Sequence, residues 1–485
     1  MSRRARMLAG VVTAVTLGGT ALAGPPLATA ATGEPVITLE TPDRVQGWSD
    51  GDRAWVELGL NAVTGSQELE IRSNRSGYAQ EITTSWTSGD RSGTLPVGTQ
   101  KNFQELPGFA VVKVKTLAGD VVASRRVGAC LNSWGGARVH PEGAPTNPYP
   151  LGCPYNPYTL GSVQGIPAGW ATPVLGEEGG IRLNLGGGTY DLAVRVRSVY
   201  AGSLGIPRSQ RLHTVRLTVE EYSEEEFRRR VQRRTEAPES GDTGSPATEP
   251  TSERSGTVDG PRPDLRSLPA FGMEVNRAST QLRFGANVWN AGDSPLVVDG
   301  FRRDGEDVMD AYQYFFDGET QVGYQQVGEM HFHEGNHHHW HFEDFARYRL
   351  LDADKQPVSR SKKVSFCLAN TDAVDYTVPG ADWHPEGTEL STACGGSSSL
   401  SVREVLSSGS GDTYYQYRRG QALPIKDLPN GVYHVSVEAN PFGKLVETDL
   451  TNNVSLRRIR LTGTPEHRRV KMAPVGLVEE QMWWY

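Results

Sequence analysis

The sequence predicts an all-β protein in which two β-sandwich-like domains are joined by a disordered linker. The 55 glycines and 30 prolines favour short strands and frequent turns over long helices. Short runs such as residues 111–115 alternate apolar and polar side chains with the period of two that is typical of half-buried strands. A stretch with almost no apolar residues separates two strand-rich regions, which indicates two folded domains rather than one.

The N-terminal strand-rich region, residues 34–222, is predicted to be a β-sandwich-like accessory domain. Its runs of strand-forming residues are bounded by turns, and no combination of side chains in it indicates catalysis. The aromatic, proline-rich loop at residues 147–158 is interpreted as structural, although it could also hold a ligand. The predicted strands are residues 35–39, 54–58, 110–116, 180–185, 190–199 and 214–220.

The segment at residues 223–262 differs in composition from both neighbours. Its first part, EEEFRRRVQRR, could form a short charged helix, and TEAPESGDTGSPATEPTSERSG then lacks the apolar residues that a packed core needs. We interpret this segment as an interdomain linker. Removal of a pro-segment at this point is the alternative interpretation.

Strand signals resume at Pro263 and define a second β domain over residues 263–463. Turn sequences such as Asn290-Ala291-Gly292 separate these strands. The remaining residues, 464–485, are basic at first and end in aromatic residues, so we expect a docked or frayed tail. The predicted strands are residues 282–288, 296–298, 346–351, 363–368, 432–437 and 454–461.

The N-terminus has the features of an export signal. Arg3, Arg4 and Arg6 precede an apolar run over residues 7–23, and Ala-Thr-Ala at residues 28–30 offers a small-residue cleavage site. We therefore expect residues 1–30 to be a signal peptide and the mature protein to be secreted. Cleavage after residue 23 is an alternative, and the general export route is favoured over the twin-arginine route.

Charge and hydropathy limit the classes of partner. Removing residues 1–30 takes away three arginines and no acidic residue, so the formal net charge moves from −8 to −11. A nucleic-acid partner is therefore not expected, and cationic amine-bearing substrates would be mildly attracted. No stretch after the signal approaches the ~20 apolar residues of a membrane span.

The four cysteines are predicted to form two disulfides. An even number of cysteines in an exported chain favours disulfides over metal binding, and no CxxC motif is present. Of the three possible connectivities, we favour Cys130–Cys153 with Cys367–Cys394, because each of these pairs lies within one predicted domain.

A histidine-rich run is the strongest indication of chemistry. Six of the eleven histidines lie between His331 and His341. His337, His339 and His341 follow an i, i+2, i+4 pattern, so on a strand their imidazoles project from one face. Nitrogen ligands with an open coordination position favour copper. His331 and His333, a second HxH pair, could supply a fourth ligand or an outer contact.

Spacing alone leaves other interpretations open. Zinc hydrolases and iron oxygenases also use HxH pairs, and surface histidines without any metal are possible. His338, which should face the other side of the strand, could replace one of the three predicted ligands.

Several motifs in order resemble the lysyl oxidase family. His337-His338-His339-Trp340-His341, followed by FARYRLLD from Phe345, resembles that family's copper-binding signature. The segments KVSFCL from Lys363, DTY ending at Tyr414, and ETDLTNNV from Glu447 resemble three further motifs in the family's order. The resemblance covers about residues 263–463, and nothing before Pro263 takes part in it.

This resemblance implies a copper amine oxidase with a lysine tyrosylquinone cofactor, formed by a crosslink between Lys363 and Tyr414. The quinone carbonyl of such a cofactor reacts with a primary amine, and dioxygen completes the cycle. The implied substrates are primary amines, including lysine side chains of peptides or proteins. The implied products are an aldehyde, ammonia and hydrogen peroxide.

One departure from the family pattern concerns the catalytic base. Arg347 occupies the position at which the animal enzymes carry a histidine, so either another residue acts as base here or the activity is weak. The carboxylates of Asp449, Asp344 and Glu343 are the candidates from sequence. The same departure supports the alternative of a non-enzymatic extracellular copper-binding protein.

The identity of the modified tyrosine is also open to an alternative. Tyr415 and Tyr417 lie beside Tyr414 in the sequence, and either could carry the modification instead. The spacing from Tyr414 to the later turn residue Tyr433 matches the family and favours Tyr414.

Overall fold

Strands account for almost all of the regular secondary structure in the part of the chain that the structure describes, so the predicted all-β class is confirmed. The structure is a computed structural model and describes residues 35–174, 180–221, 248–256, 260–333 and 338–480. Within these residues, the exceptions are one short α-helix, α1 (Ser198–Ser203), and a 3₁₀ turn at Arg208–Gln210.

The N-terminal strands form sheets around their own apolar core. In chain order they are β1 (Thr38–Glu40), β2 (Arg44–Asp50), β3 (Arg53–Glu57), β4 (Asn61–Val63), β5 (Leu69–Asn74), β6 (Thr83–Ser88), β7 (Arg91–Thr94), β8 (Leu106–Lys115), β9 (Val121–Ala129), β10 (Ala137–Arg138), β11 (Gly161–Ile166), β12 (Trp170–Pro173), β13 (Gly180–Leu183), β14 (Gly188–Val196) and β15 (Leu212–Glu221). The largest of these sheets has the order β13-β3-β2-β15-β14-β8-β9, and the others are β1-β4-β12-β10 and β11-β5-β6-β7. Strands such as β6 bury every second side chain, as the period-two pattern predicts.

The C-terminal strands are the ones that carry the histidine run and the lysyl oxidase-like motifs. In chain order they are β16 (Arg254–Gly256), β17 (Leu265–Ser267), β18 (Phe271–Val275), β19 (Gln281–Asn290), β20 (Leu296–Arg302), β21 (Val308–Asp317), β22 (Thr320–His333), β23 (His339–Glu343), β24 (Ala346–Leu351), β25 (Pro357–Arg360), β26 (Ser365–Phe366), β27 (Asp372–Ala373), β28 (Ser401–Leu406), β29 (Ser410–Tyr414), β30 (Ala422–Pro424), β31 (Gly431–Ala439), β32 (Val454–Thr464) and β33 (His467–Met472).

Three sheets of this region share one apolar core. Their strand orders are β26-β23-β22-β21-β20-β28, β17-β19-β29-β27 and β25-β24-β31-β32-β33. The core includes Trp340, Phe342 and Phe345, whose side chains are at most 1% exposed. Because β23 and β29 contribute side chains to this core, packing fixes the positions of the polar residues on the same strands.

Both predicted disulfides are present. Cys130 is bonded to Cys153 and Cys367 to Cys394, and the Cα–Cα distance is 6.1 Å in each pair. The second disulfide connects the segment after β26 to the segment before β28, next to the histidine strand.

The loop at residues 147–158 contacts the C-terminal region rather than standing free. Asn156 Nδ2 donates a hydrogen bond of 3.2 Å to the carboxylate of Asp372, and just after the loop the Leu160 amide donates one of 2.7 Å to the Val374 carbonyl. The chain from Pro35 onward forms one compact unit, and these contacts are part of it. They agree with a structural role for the loop.

Some sequence predictions fall on residues that the structure does not describe. The predicted signal peptide, residues 1–30, lies outside the described residues, and so does most of the predicted linker, residues 223–262. The described part of that linker includes β16, which pairs with β22. In the predicted tail, residues 464–485, β33 pairs with β32. No helix within the described segments is long and apolar enough to cross a membrane.

Candidate active site

Lys363 and Tyr414 lie in direct contact although they are far apart in sequence. The Lys363 Nζ atom is 4.1 Å from the centroid of the Tyr414 ring. The same nitrogen is 4.5 Å from the centroid of the Phe366 ring, and Phe366 packs edge-on against Tyr414 at a centroid distance of 5.0 Å. The amine and the phenol ring are therefore close enough to react after a modest rearrangement.

Strands of two different sheets bring these residues together. Tyr414 ends β29, whose pairing with β19 places it opposite Ala286. Lys363 lies two residues before β26, which pairs with the histidine strand β23 through Phe342 and Phe366. The register of these sheets thus decides that the lysine and the tyrosine meet.

Hydrogen bonds to backbone carbonyl groups orient both side chains. Lys363 Nζ donates to the Ser365 carbonyl at 3.1 Å, and the Tyr414 hydroxyl donates to the Cys367 carbonyl at 3.0 Å. Ser361 Oγ accepts a hydrogen bond of 3.1 Å from the Lys363 amide. Since the disulfide connects Cys367 to Cys394, the carbonyl that accepts from Tyr414 lies on a crosslinked segment.

Three of the clustered histidines lie side by side on two paired strands. His333 of β22 lies opposite His339 of β23. The ring centroids of His333 and His341 are 4.3 Å apart, and those of His339 and His341 are 4.8 Å apart. His341 is buried, with 4% exposure. The i, i+2 spacing therefore places His339 and His341 on one face, as strand geometry predicts.

The remaining histidines of the run are not part of the cluster of His333, His339 and His341 in the described residues. His337, the first predicted metal ligand, lies outside the described residues. His338 has a φ of 40°, so it lies outside the regular strand alternation. His331 Nε2 lies 3.5 Å from a carboxylate oxygen of Glu329. His333 is the upstream histidine that contacts the cluster.

Within the described residues, no group of three or more His, Cys, Asp or Glu side chains is arranged as a formed metal site. The nature of the donors still fits the predicted metal, because imidazole nitrogen is a preferred ligand of copper. Two of the predicted ligands, His339 and His341, lie together, and His333 brings a third imidazole beside His341.

Ser365 connects the histidine cluster to the lysine. Its hydroxyl is hydrogen bonded to His333 Nε2 at 3.2 Å, and its carbonyl accepts from Lys363 Nζ. The cluster and the Lys363–Tyr414 pair therefore form one site.

Two buried carboxylates that were not predicted from the sequence lie near the lysine. Asp412 is 3% exposed and Glu404 is fully buried. Burial raises the pKa of Asp412 to about 8, and the positive charge of Lys363 acts in the opposite direction. Burial also raises the pKa of Glu404, whose carboxylate accepts a hydrogen bond of 3.0 Å from the Leu368 amide. Since Asp412 and Tyr414 are two residues apart on one strand, the period of two could have identified Asp412.

Lys363 has an environment that favours its neutral form. Burial lowers the pKa of its amine to about 8, and the negative charge of Asp412 partly offsets this effect. Lys363 and Asp412 therefore interact electrostatically, and the charge of each favours the ionised form of the other. Burial and the nearby carboxylates also raise the pKa of the Tyr414 phenol well above its usual value.

Arg347 is held away from this chemistry. Its guanidinium forms two hydrogen bonds to Glu438, of 2.9 and 2.8 Å. The next residue, Tyr348, is buried and contacts the Phe366 ring. Because successive side chains of a strand point to opposite faces, Arg347 lies on the face of β24 that points away from Phe366.

The three carboxylates predicted as bases differ in position. Asp344 is paired with Lys444 at 2.6 Å, and Asp449 accepts hydrogen bonds from Thr451 in an exposed turn. Glu343 lies 3.8 Å from His333 Nε2 and is the one of the three that contacts the histidine cluster.

The alternative tyrosines have other contacts. The Tyr415 ring packs edge-on against Phe271 at 6.2 Å and stacks on Tyr417 at 5.7 Å. Tyr417 is 64% exposed. The Lys363 amine, by contrast, lies over Tyr414.

A cavity of about 700 Å³ opens onto the site. Lys363, Ser365, His333 and His341 lie along its wall. A small substrate could therefore reach the lysine and the buried histidine together.

Part of the C-terminal region is similar to known proteins. Residues 318–471 match a family model described as Lysyl oxidase. This range includes the histidine run, Lys363, Asp412 and Tyr414, so the resemblance predicted from the motifs is confirmed.

Curated relatives agree with this match. Protein-lysine 6-oxidase of Homo sapiens is 36% identical over 129 residues, which cover 26% of this chain and 27% of the relative. The protein of the same name from Sus scrofa is 35% identical over 129 residues, 26% of this chain and 45% of the relative. Human lysyl oxidase homolog 1 is 33% identical over 129 residues, 26% of this chain and 20% of the relative. The chain thus matches less than half the length of each of these relatives.

Proposed function

We propose that this protein is a secreted, copper-dependent amine oxidase whose quinone cofactor forms between Lys363 and Tyr414, because residues 318–471 match the Lysyl oxidase family model. The observation that carries the proposal is the 4.1 Å distance between the Lys363 Nζ atom and the Tyr414 ring centroid. A crosslink between these residues needs that approach, and oxidation of the ring needs dioxygen as co-reactant.

The proposed copper ligands are His337, His339 and His341. His333 lies next to this set, and its hydrogen bond to Ser365 would orient its imidazole. Nitrogen donors and the burial of His341 favour copper over the harder cations that prefer oxygen ligands.

Oxidation of the amine would belong to the cofactor, and the protein side chains would accept a proton and position the ring. When formed, the quinone with dioxygen converts a primary amine to an aldehyde, with release of ammonia and hydrogen peroxide. Asp412 is proposed to accept the proton that the substrate carbon loses, because it is buried beside Lys363 and burial raises the pKa of its carboxylate to about 8, which makes the ionised form a stronger base than an ordinary carboxylate. Phe366 would exclude water from one side of the Tyr414 ring, and the Cys367 carbonyl would hold the phenol oxygen in place.

We also propose that the protein acts outside the cell, on primary amines that include lysine side chains. The signal-like residues 1–30 and the two disulfides support export. The curated relatives named protein-lysine 6-oxidase support lysine side chains as one substrate class.

A copper-binding protein that never forms the quinone is the second candidate. The observation that favours it is the ion pair of Arg347 with Glu438, because this arginine replaces the expected histidine and cannot serve as a base. The observation against this candidate is the buried Asp412, because it offers a base in place of the missing histidine.

Only the amine oxidase would contain a covalent crosslink between Lys363 and Tyr414, so detection of this crosslink separates the two candidates. Full-length protein loaded with copper in air should react with phenylhydrazine, show a visible quinone absorbance, and yield a Lys363–Tyr414 crosslinked peptide in mass spectrometry. The substitutions Lys363→Arg and Tyr414→Phe should abolish the adduct, and Lys426→Arg and Tyr415→Phe should retain it. Copper binding without adduct or crosslink would establish the copper-binding protein, and an adduct that persists in Tyr414→Phe would assign the modification to another tyrosine.

A further inference from the structure

The entrance of the cavity is strongly basic although the chain as a whole is acidic. Besides the partly buried Lys363, five cationic residues line it, and each is exposed to solvent: Arg283, Arg360, Lys362, Arg418 and Arg419. Among the described residues that line the cavity, none is an aspartate or glutamate. The formal net charge of −8 therefore does not describe the local potential at the entrance.

These charges are barely neutralised by neighbouring groups. Arg283 lies 3.8 Å from Glu274, and both side chains are about half exposed, so the interaction is weak. In the described parts of the chain, Arg360, Lys362, Arg418 and Arg419 have no carboxylate within 4.0 Å. Their positive charge is thus available to a ligand that carries negative charge.

The backbone that carries two of these arginines is packed against the reacting lysine. A Cβ atom on Gly420 would lie 3.2 Å from the Lys363 Cβ atom, and the Gly420 carbonyl accepts a hydrogen bond of 2.6 Å from Ser361 Oγ. Arg418 and Arg419 immediately precede this glycine. A substrate that approaches the Lys363 amine therefore passes close to their positive charges.

An exposed aromatic side chain adds an apolar contact at the same place. Tyr417 is 64% exposed and stacks on Tyr415 with an angle of 8° between the rings. The Arg418 guanidinium lies 5.7 Å from the centroid of the Tyr417 ring. This combination of an aromatic ring and cationic groups suits a peptide segment better than a small diamine.

We propose that the substrate amine is a lysine side chain on an acidic peptide segment, with aspartate or glutamate residues flanking the lysine. The proposal rests on the amine oxidase function proposed above and specifies its substrate. A primary amine is itself cationic at neutral pH, so the basic entrance repels it unless the carrier supplies carboxylates. The flanking carboxylates would pair with the arginines while the lysine side chain enters the cavity.

Binding and turnover of matched peptides test this proposal. Three fluorescent peptides of equal length would each contain one lysine, flanked by glutamate, glutamine or arginine. With copper-loaded full-length protein, the acidic peptide should show a kcat/KM at least about 10-fold above that of the arginine peptide, mainly through KM, and added salt should reduce the difference. Anisotropy on the protein as isolated should give the same order of affinities without any turnover.

Variants that remove positive charge test whether Arg418 and Arg419 cause the preference for the acidic peptide. Arg418→Gln with Arg419→Gln should weaken binding of the acidic peptide about 10-fold and leave the glutamine peptide almost unchanged. The matched control, Lys115→Gln with Arg126→Gln, removes two exposed charges from β8 and β9 and should leave both affinities unchanged. Turnover of 6-aminohexanoate and of hexylamine shows whether any carboxylate near the amine is sufficient. If the enzyme prefers 6-aminohexanoate to hexylamine but does not prefer the acidic peptide, the assignment of a peptide substrate is overturned.

The failures of the two proposals are distinguishable. Equal affinities for the three peptides, or tighter binding of an oligonucleotide than of the acidic peptide, would overturn the acidic-peptide proposal even if amines are oxidised. Charge-dependent binding of the acidic peptide with no oxidation of any amine would overturn the proposed oxidase function and leave the assignment of the binding site standing.

Discussion

The amide of Asn156 in the N-terminal region donates a hydrogen bond of 3.2 Å to the carboxylate of Asp372. The same Asp372 oxygen accepts a hydrogen bond of 2.8 Å from Thr413 Oγ1, the residue before Tyr414. Asn287 Nδ2 donates to the same Thr413 hydroxyl at 2.8 Å. A buried polar network therefore connects the N-terminal loop to the strand that carries the proposed modified tyrosine.

Replacing Asn156 with alanine should destabilise the protein and misplace β29. Asp372 is buried within the network and would lose one donor, so we expect a decrease of about 1–3 kcal/mol in the free energy of unfolding. Denaturant unfolding measures this change, and Asn74→Ala, in which an exposed hydrogen bond to Thr83 is lost, serves as control. A change no larger than that of the control would show that the network contributes nothing.

The titration of Asp372 should make stability fall as pH rises. Burial raises its pKa to about 6 in the folded protein, above the usual ~3.9 of an unfolded chain. The folded state then binds more protons between about pH 4 and pH 6, so this group's contribution to stability decreases as pH rises through that interval.

The variant Asp372→Asn isolates this contribution. The unfolding free energy of the wild type minus that of the variant should decrease between about pH 4 and pH 6, as measured by denaturant unfolding at several pH values. Asp354→Asn, at an exposed turn, controls for the loss of one charge. A difference that increases with pH would contradict the raised pKa.

Lys363 should react with amine reagents at a lower pH than an ordinary lysine. Burial lowers its pKa to about 8, and the Asp412 charge opposes this effect. The extent of acetylation of Lys363, followed by mass spectrometry on copper-free protein, should therefore rise with a midpoint near pH 8. In Asp412→Asn the midpoint should move to lower pH, because the charge that stabilises the ammonium form is gone. A midpoint that moves upward in the variant would exclude the Asp412–Lys363 interaction.

Loss of the clustered histidines should weaken copper binding in graded steps. We expect His339→Ala or His341→Ala to lower copper affinity by more than about 100-fold, and His333→Ala to lower it by about 10- to 100-fold, as for a residue that orients a ligand. Competition with a chromogenic copper chelator measures the affinities, and His467→Ala on the exposed strand β33 is the control. If His333→Ala had the largest effect of the three, His333 would be a direct ligand.

The local pattern predicted some strands well and missed others. The strand Ala346–Leu351 was predicted with its observed bounds, because its buried and half-exposed side chains alternate. Val308–Asp317 has an almost continuous buried run instead, and its neighbour Thr320–His333 contains mostly half-buried residues. Neither shows a clear period of two, since burial on both faces depends on the neighbouring sheets. The predicted strand at residues 363–368 is shortened to Ser365–Phe366, and Lys363 lies outside it, over the Tyr414 ring.

The sequence by itself determined the all-β class, both disulfides, the lysyl oxidase motifs and the common face of His339 and His341, because each depends on residue order, composition or the period of a strand. Only the tertiary structure decided that Lys363 meets Tyr414, that Asp412 is buried beside them and that Arg347 faces away. Strand register and burial set these distances and pKa values, and both arise from contacts between residues that are far apart in the chain.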